Sequence, residues 1–294
     1  MTRVLELFGL STTGKRVAWE KVVAGQQCPF VDRKCYKVRK SRPDVSIGTC
    51  SVAHGRKLDP VAICPLRLLE RRQVFTDCLH LLLTSHEPGN ELHIVNEINI
   101  PGGSVDYFLA STRSAKVRDF VGVELQTMDT TGTVWPERQR FLQSKGLRVT
   151  RADIQSSRPF GMNWKMTAKT VLVQLHHKIQ TFEHINKRLV LAIQDRLLSY
   201  MQSQFRFGHL TNARLGDPMQ IHAYSLGLNP DRSAYVLSLS ERLSTDSAGI
   251  AACLGLQAEA KVDLEDVVRQ IEAKLSNDSL LTFEAPPSPG ATLP

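Results

Sequence analysis

The sequence predicts an α/β chain with a small metal-binding module near its N-terminus. Strand-like runs at 91–100, 105–110 and 119–126 precede helix-like and strand-like runs in alternation. Five of the six cysteines fall between positions 28 and 78, in a stretch rich in Gly, Pro, Lys and Arg. That stretch has little apolar periodicity and could hardly form a core alone. With 294 residues and 42% apolar content, the chain has ample material for a large core.

In chain order, residues 1–20 read as a short arm or helix and 21–65 as the metal module. Residues 66–240 read as the core, 241–283 as a C-terminal helical segment and 284–294 as a disordered tail. Leu66 to Leu83 reads as an amphipathic helix, with Cys78 on its apolar face beside Val74, Phe75 and Leu82. His86 to Asn90 reads as a turn. The strands at 105–110 and 119–126 are joined through R-S-A-K-V-R, and 127–165 reads as an irregular loop. From Lys165 to Ile185, the residues Val171, Leu172, Leu175, Ile179 and Phe182 recur at helical spacing. R-L-V-L-A-I reads as a buried strand and Gln194 to Phe205 as a second helix. I-H-A-Y-S-L-G and A-Y-V-L-S-L-S read as further strands, and Asp263 as the cap of a closing helix. The chain has no internal repeats.

The chain is organised around F-V-G-V-E-L-Q-T-M-D at 120–129, an apolar strand that delivers Glu124 and Gln126 on one side. Upstream, V-D-Y-F-L-A carries Asp106 and E-I-N-I carries Glu97. Eight residues separate Glu97 from Asp106 and seventeen separate Asp106 from Glu124. Two neighbouring strands joined by a turn can set Asp106 beside Glu124, and such a carboxylate pair suits a hard divalent cation. A cation held there can bind a phosphate oxygen and position a water of lowered pKa. The same spacing also suits ordinary strand-end residues.

Lysine plus arginine total 37 against 29 acids, a net charge of +8 that suits a polyanionic partner. No apolar run reaches the roughly 18–20 residues that span a bilayer. Glu6 and Gly9 break the N-terminal stretch before a signal-peptide core forms, so a cytoplasmic protein with no membrane association is expected. Cys28, Cys35, Cys50 and Cys64 are separated by six, fourteen and thirteen residues. In a reducing compartment, four clustered thiols point to a tetrahedral metal site rather than disulfides; scattered core cysteines are the alternative. Within 127–165, Arg138, Arg140, Arg148, Arg151 and Arg158 are interleaved with Trp135, Phe160 and Trp164. That pattern suits contacts to nucleic-acid phosphates and bases, and equally a solvated basic loop.

These residues carry a resemblance. C-P-F, K-C, G-T-C-S-V and I-C-P at 28–65, V-D-Y-F-L-A at 105–110 and V-G-V-E-L-Q-T-M-D-T-T-G at 121–132 resemble the NotI/EagI-type type II restriction endonucleases. G-M-N-W at 161–164 and I-H-A-Y-S-L-G at 221–227 are similar to the EagI-like members. The resemblance covers about residues 20 to 230, in the family's order. It implies a restriction-endonuclease-like core of the PD-(D/E)xK type: a mixed β-sheet flanked by helices, with a four-cysteine domain attached. Asp106 and Glu124 match the metal-binding acids, Glu97 an additional upstream acid, and Gln126 the position where most such nucleases have lysine. Cys28, Cys35, Cys50 and Cys64 match four iron ligands, where chemistry alone also allows zinc. Val105 stands in place of the usual proline.

The resemblance further implies Mg²⁺-dependent cleavage of both strands of duplex DNA at a short GC-rich palindrome containing GGCC, with 5′-phosphate products. A homodimer paired with a protective DNA methyltransferase follows from it. Two other readings suit the residues: a catalytically inactive DNA-binding protein with a structural metal module, and a monomeric nicking or repair nuclease.

Overall fold

The computed structural model describes residues 2–14, 17–82, 87–155, 159–231, 233–255 and 264–273. The chain opens with β1 (Val4–Leu7) and β2 (Leu10–Ser11), continues through helix α1 (Trp19–Gly25), and returns as β3 (Thr49–His54) and β4 (Asp59–Ala62). These strands form one sheet in the order β2-β1-β3-β4. Between α1 and β3 lie two short hairpins, Gln27–Cys28 with Arg33–Lys34 and Val38–Arg39 with Arg42–Ser46.

Seven further strands build the central sheet. They are β5 (Glu91–Ile100), β6 (Gly103–Arg113), β7 (Lys116–Gln126), β8 (Arg188–Gln194), β9 (Thr211–Asn212), β10 (Met219–Leu228) and β11 (Tyr235–Thr245). Their order is β9-β11-β10-β8-β7-β6-β5. β5, β6 and β7 form an antiparallel meander, whereas β7, β8 and β10 run parallel, so the sheet is mixed as expected. Helix α2 (Trp135–Ser144) follows β7. Helix α3 (Trp164–His184) then carries the chain to β8, and α4 (Asp195–Gln204) carries it on towards β10. Parallel neighbours require such crossovers. Helix α5 (Ser247–Leu254) ends a compact unit spanning Met1–Leu256. Helix α6 (Leu264–Glu272) belongs to a second unit, Gln257–Pro294. Among the described residues no helix is long and apolar enough to cross a membrane.

Alternation decides the two faces of the sheet. Leu189, Leu191 and Ile193 pack with Val171, Leu172, Leu175, Ile179 and Phe182 of α3. Val190 and Ala192 join Val121, Val123 and Leu125 in the cluster on the opposite face. Gly122 lets α3 lie close on β7: a Cβ there would stand 2.4 Å from the Phe182 ring. Each fully buried side chain of this size contributes about 1.5–3 kcal/mol.

Three local expectations need correction. Within the expected arm or helix over 1–20, Val4–Leu7 and Leu10–Ser11 are strands and a helix begins only at Trp19, because buried Val4 and Leu7 and the enclosed Glu6 tie β1 into the sheet. Glu6 binds Ser51 Oγ (2.6 Å) and Arg67 Nε (2.9 Å), partners distant in sequence. The expected helix over 66–83 is broken into a 3₁₀ segment (Pro65–Arg72), a single turn (Gln73–Thr76) and a second 3₁₀ turn (Leu79–Leu81). Arg71 and Arg72 hold φ of +50° and +54° there, so no continuous helix can form. The third correction concerns 127–165, which contains α2; Trp135 and Pro136 open that helix, and proline at the first turn is a helix-start signal. The expected cap Asp263 and the tail 284–294 lie outside the described residues.

Candidate active site

Three adjacent strands bring three acids to one level. In the β6–β7 register Tyr107 faces Val123, so Asp106 and Glu124 stand next to each other across the ladder. In the β5–β6 register Val105 faces Ile98 and Tyr107 faces Asn96, which places Glu97 on the other flank of Asp106. Glu97 holds a φ of +35°, left-handed backbone that a non-glycine residue rarely adopts and that concentrates at functional sites. Its exposed carboxylate accepts a long hydrogen bond from Ser104 Oγ (3.5 Å). Asp106 Oδ2 accepts one from the Leu125 backbone N–H (2.8 Å), which fastens the acid to β7. Gln126 shares the face of Glu124, and its Nε2 donates to the Thr127 carbonyl (2.7 Å).

A lysine completes the group. Lys178 Nζ, carried by α3, lies 2.6 Å from Glu124 Oε1, and the two side chains are 8% and 13% exposed. Burial pushes the Glu124 carboxyl up to about 7; the Asp106 charge adds to the rise, and the Lys178 hydrogen bond and charge oppose it. Burial also raises Asp106, opposed by the Leu125 N–H and Lys178 and reinforced by Glu97. One ammonium therefore serves two half-buried carboxylates. The surplus negative charge and the oxygen donors fit a hard divalent cation. Among the described residues, no three His, Cys, Asp or Glu side chains converge closely enough to hold a metal, so these acids do not form a closed ligand shell.

Acid spacing alone does not reveal Lys178. A signal was present nonetheless: Val171, Leu175, Lys178 and Phe182 share one stripe of α3, so a charged residue interrupts a buried face. Volume does not identify the site either. A concavity of about 930 Å³ lies between α1 and Lys145–Arg148, away from these acids. Glu124, Gln126, Gln174 and Lys178 line one of about 10 Å³, near the lower limit for a single water.

Cys28, Cys35, Cys50 and Cys64 are all buried and unbridged. Burial raises the Cys28, Cys50 and Cys64 thiols, and the charges of their neighbours add: Cys35 on Cys28, Cys64 on Cys50, and Cys35 and Cys28 on Cys64. The four thiols thus lie within electrostatic reach of one another without being gathered into a ligand shell.

The arginines expected to meet nucleic acid separate into distinct environments. Arg138 is 2% exposed: its Nε donates to the Ile47 carbonyl (2.7 Å), and its guanidinium lies 4.6 Å over the Trp135 ring. That internal strut is closed to phosphate, a correction to the expectation for this residue. Arg140 is 42% exposed and pairs with Glu137 (2.8 Å), and Arg148 and Arg151 are exposed. Arg158 lies outside the described residues.

No curated protein matches the chain. The family model described as restriction endonuclease NotI matches residues 14–218, a span holding the four cysteines, Glu97, Asp106, Glu124, Gln126 and Lys178. The chain belongs to the NotI restriction endonuclease family and is a type II site-specific deoxyribonuclease.

Proposed function

We propose that the protein hydrolyses both strands of duplex DNA in a Mg²⁺-dependent reaction, at a short GC-rich palindrome containing GGCC, leaving 5′-phosphate ends. The observation that carries this reading is the row of Glu97, Asp106 and Glu124 across β5, β6 and β7, inside the span matched by a nuclease family. Such a row suits a PD-(D/E)xK site with Gln126 in the lysine position. Asp106 and Glu124, with the Leu125 carbonyl, would hold Mg²⁺, which when bound supplies Lewis-acid polarisation of a phosphate oxygen and an activated water. Gln126 carries no charge, so its amide orients the attacking water or the phosphate by hydrogen bonding. Glu97, at the strand edge, offers a further oxygen. The GC-rich target rests on family resemblance alone.

Each subunit of a two-fold homodimer would cut one strand, and a partner methyltransferase would protect host sites. Exposed Arg148 and Arg151, with Arg140 and Arg158, would meet the phosphate backbone. The four cysteines would hold one structural iron or zinc ion. Four buried thiols that feel one another's charge are a donor set suited to both metals, and four protein ligands leave no open position for a water.

The test is to incubate purified protein with plasmid DNA and Mg²⁺ and to sequence the ends. Double-strand cuts at one palindrome are expected, abolished by chelation. Glu124→Ala should cut nothing while still shifting cognate DNA on a gel; cleavage by that variant near the wild-type rate would overturn the assignment. Elemental analysis finding neither iron nor zinc would remove the cysteine site.

A further inference from the structure

We propose that Lys178 is a catalytic residue, the cation that contacts the scissile phosphate in place of the lysine that Gln126 replaces. The inference rests on the nuclease reading above and deepens it. Its first support is position. Lys178 Nζ stands 2.6 Å from Glu124 Oε1, and Lys178 lines the same small cavity as Glu124 and Gln126. A lysine two residues after Glu124 on β7 would project on this same face of the sheet. Helix α3 therefore delivers to the site, from above, the charge that the strand position lacks.

Gln126 supplies the second support. It is uncharged, and its Nε2 already donates to the Thr127 carbonyl, so its amide is turned along its own strand. Among the described residues, Lys178 carries the cationic side chain in the cavity that Glu124 and Gln126 line.

The third support is how the lysine is seated. The turn between β5 and β6 closes on α3 one residue before Lys178. A Cβ at Gly102 would lie 2.8 Å from the His177 carbonyl carbon and oxygen, and one at Gly103 would lie 3.3 Å from Lys178 Cε. Thr181 Oγ1 donates to the Pro101 carbonyl (2.6 Å) on the same turn. Gly102 and Gly103, which put no side chain over the lysine stem, let the helix come close and leave the stem free to reach Glu124. A surface lysine that had merely found a nearby acid would need no such seating.

In the hydrolysis, water oxygen bonds to phosphorus, the P–O3′ bond breaks, and the proton released by the water ends on the departing 3′-oxygen. Lys178 stays protonated throughout. Its ammonium donates to a non-bridging phosphoryl oxygen, where negative charge builds up, and it forms no covalent bond. Losing one such fixed donor typically slows a reaction by about 10²- to 10³-fold.

A counterion that only neutralises Glu124 predicts something different. Once Mg²⁺ saturates the acids the counterion is redundant, so its removal leaves the saturated rate unchanged. The experiment compares wild type, Lys178→Met and the double variant Lys178→Met/Gln126→Lys, at saturating Mg²⁺ for cleavage and in Ca²⁺ for cognate DNA binding. Lys178→Met should lose about 10²- to 10³-fold in rate while its DNA affinity stays within about threefold. The double variant should regain at least about tenfold of that loss, because the strand position restores a cation at the same place. A Lys178→Met enzyme as fast as wild type at saturating Mg²⁺ would sink the proposal. So would a double variant that binds cognate DNA like wild type but recovers no rate, which keeps the question decidable if the single variant folds poorly. Inactivity of the wild-type enzyme itself would instead strike the nuclease reading.

Discussion

Replacing Glu124 by Gln should stabilise the metal-free protein at alkaline pH while abolishing cleavage. In the folded chain burial raises this carboxyl from 4.5 to about 7. Between those values the folded protein binds more protons than the unfolded chain, so stability falls as pH rises through that window and levels off above it. A shift of roughly 2.5 pKa units at 1.36 kcal/mol each corresponds to about 3 kcal/mol. The side chain is only 13% exposed, so little of this is lost to solvent screening. A glutamine mimics the protonated acid and keeps an oxygen for Lys178. In EDTA at pH 8 the variant should therefore gain about 3 kcal/mol, or roughly 6–10 °C in Tm for a domain of this size. At pH 4, where both forms are neutral, the difference should vanish. Urea unfolding at pH 4, 6 and 8 measures this directly. A Gln variant that is less stable at pH 8, or whose advantage does not depend on pH, would refute the electrostatic account of the site.

Asp153→Asn should destabilise by about 2 kcal/mol at neutral pH, because it weakens a buried carboxylate's contacts to Arg39 (2.6 Å), Arg42 (3.1 Å), Thr150 Oγ1 (2.6 Å) and Trp135 Nε1 (2.9 Å). The Thr150 hydroxyl and then Trp135 and Arg39 hold this acid well below 3.8 against burial, so the deficit should shrink as pH falls below that value, a trend read by unfolding in acid. DNA affinity should fall steeply with salt for a chain of net charge +8, and a flat response would contradict the basic 127–165 segment lying on the backbone; Arg148→Ala should lower the log–log slope by about one, and an unchanged slope would remove Arg148 from the interface.

The strand row of the site was legible because period-two alternation at 105–126 survives without tertiary context. Val121 and Val123 must be buried on one face, and that fixes Glu124 and Gln126 on the other. The α3 stripe was legible for the matching reason at period 3.6. What escaped depended on distant partners. Lys178 meets Glu124 across 54 residues of sequence; the break in the α3 stripe marks the lysine but does not name its partner. Arg138 looked like a solvated basic residue because its carbonyl partner, Ile47, lies 91 residues away. The segment 66–83 carries a helical apolar pattern, yet Leu66, Leu68, Leu69, Val74, Phe75, Leu81 and Leu82 are all buried. Burial on several sides at once, with Arg67 drawn to Glu6, favours a folded-back path over one straight helix. The left-handed backbone at Ser114 and Ala115, φ +51° and +59°, closes the β6–β7 hairpin as a two-residue turn without the glycine that usually signals it. The strands consequently run several residues longer than alternation suggested.

Formal charge explains why Gln126 and Lys178 belong together. Exposed Glu97 is screened by solvent and stands outside the enclosed count; with both inner acids ionised, Asp106 and Glu124 carry two negative charges and Lys178 one positive, a net of minus one in a nearly enclosed space. A divalent cation would bring that count to plus one, and a phosphodiester bound there would bring it to zero. A second lysine at position 126 would leave the substrate-bound site at plus one, with two ammonium groups repelling each other under burial. Glutamine at 126 is thus the residue that keeps the substrate complex neutral once a helix supplies the cation. The two positions are alternatives rather than additions, so Gln126→Lys on its own should slow the enzyme even though it restores the lysine usual at that position, whereas the same change in a Lys178→Met background should help.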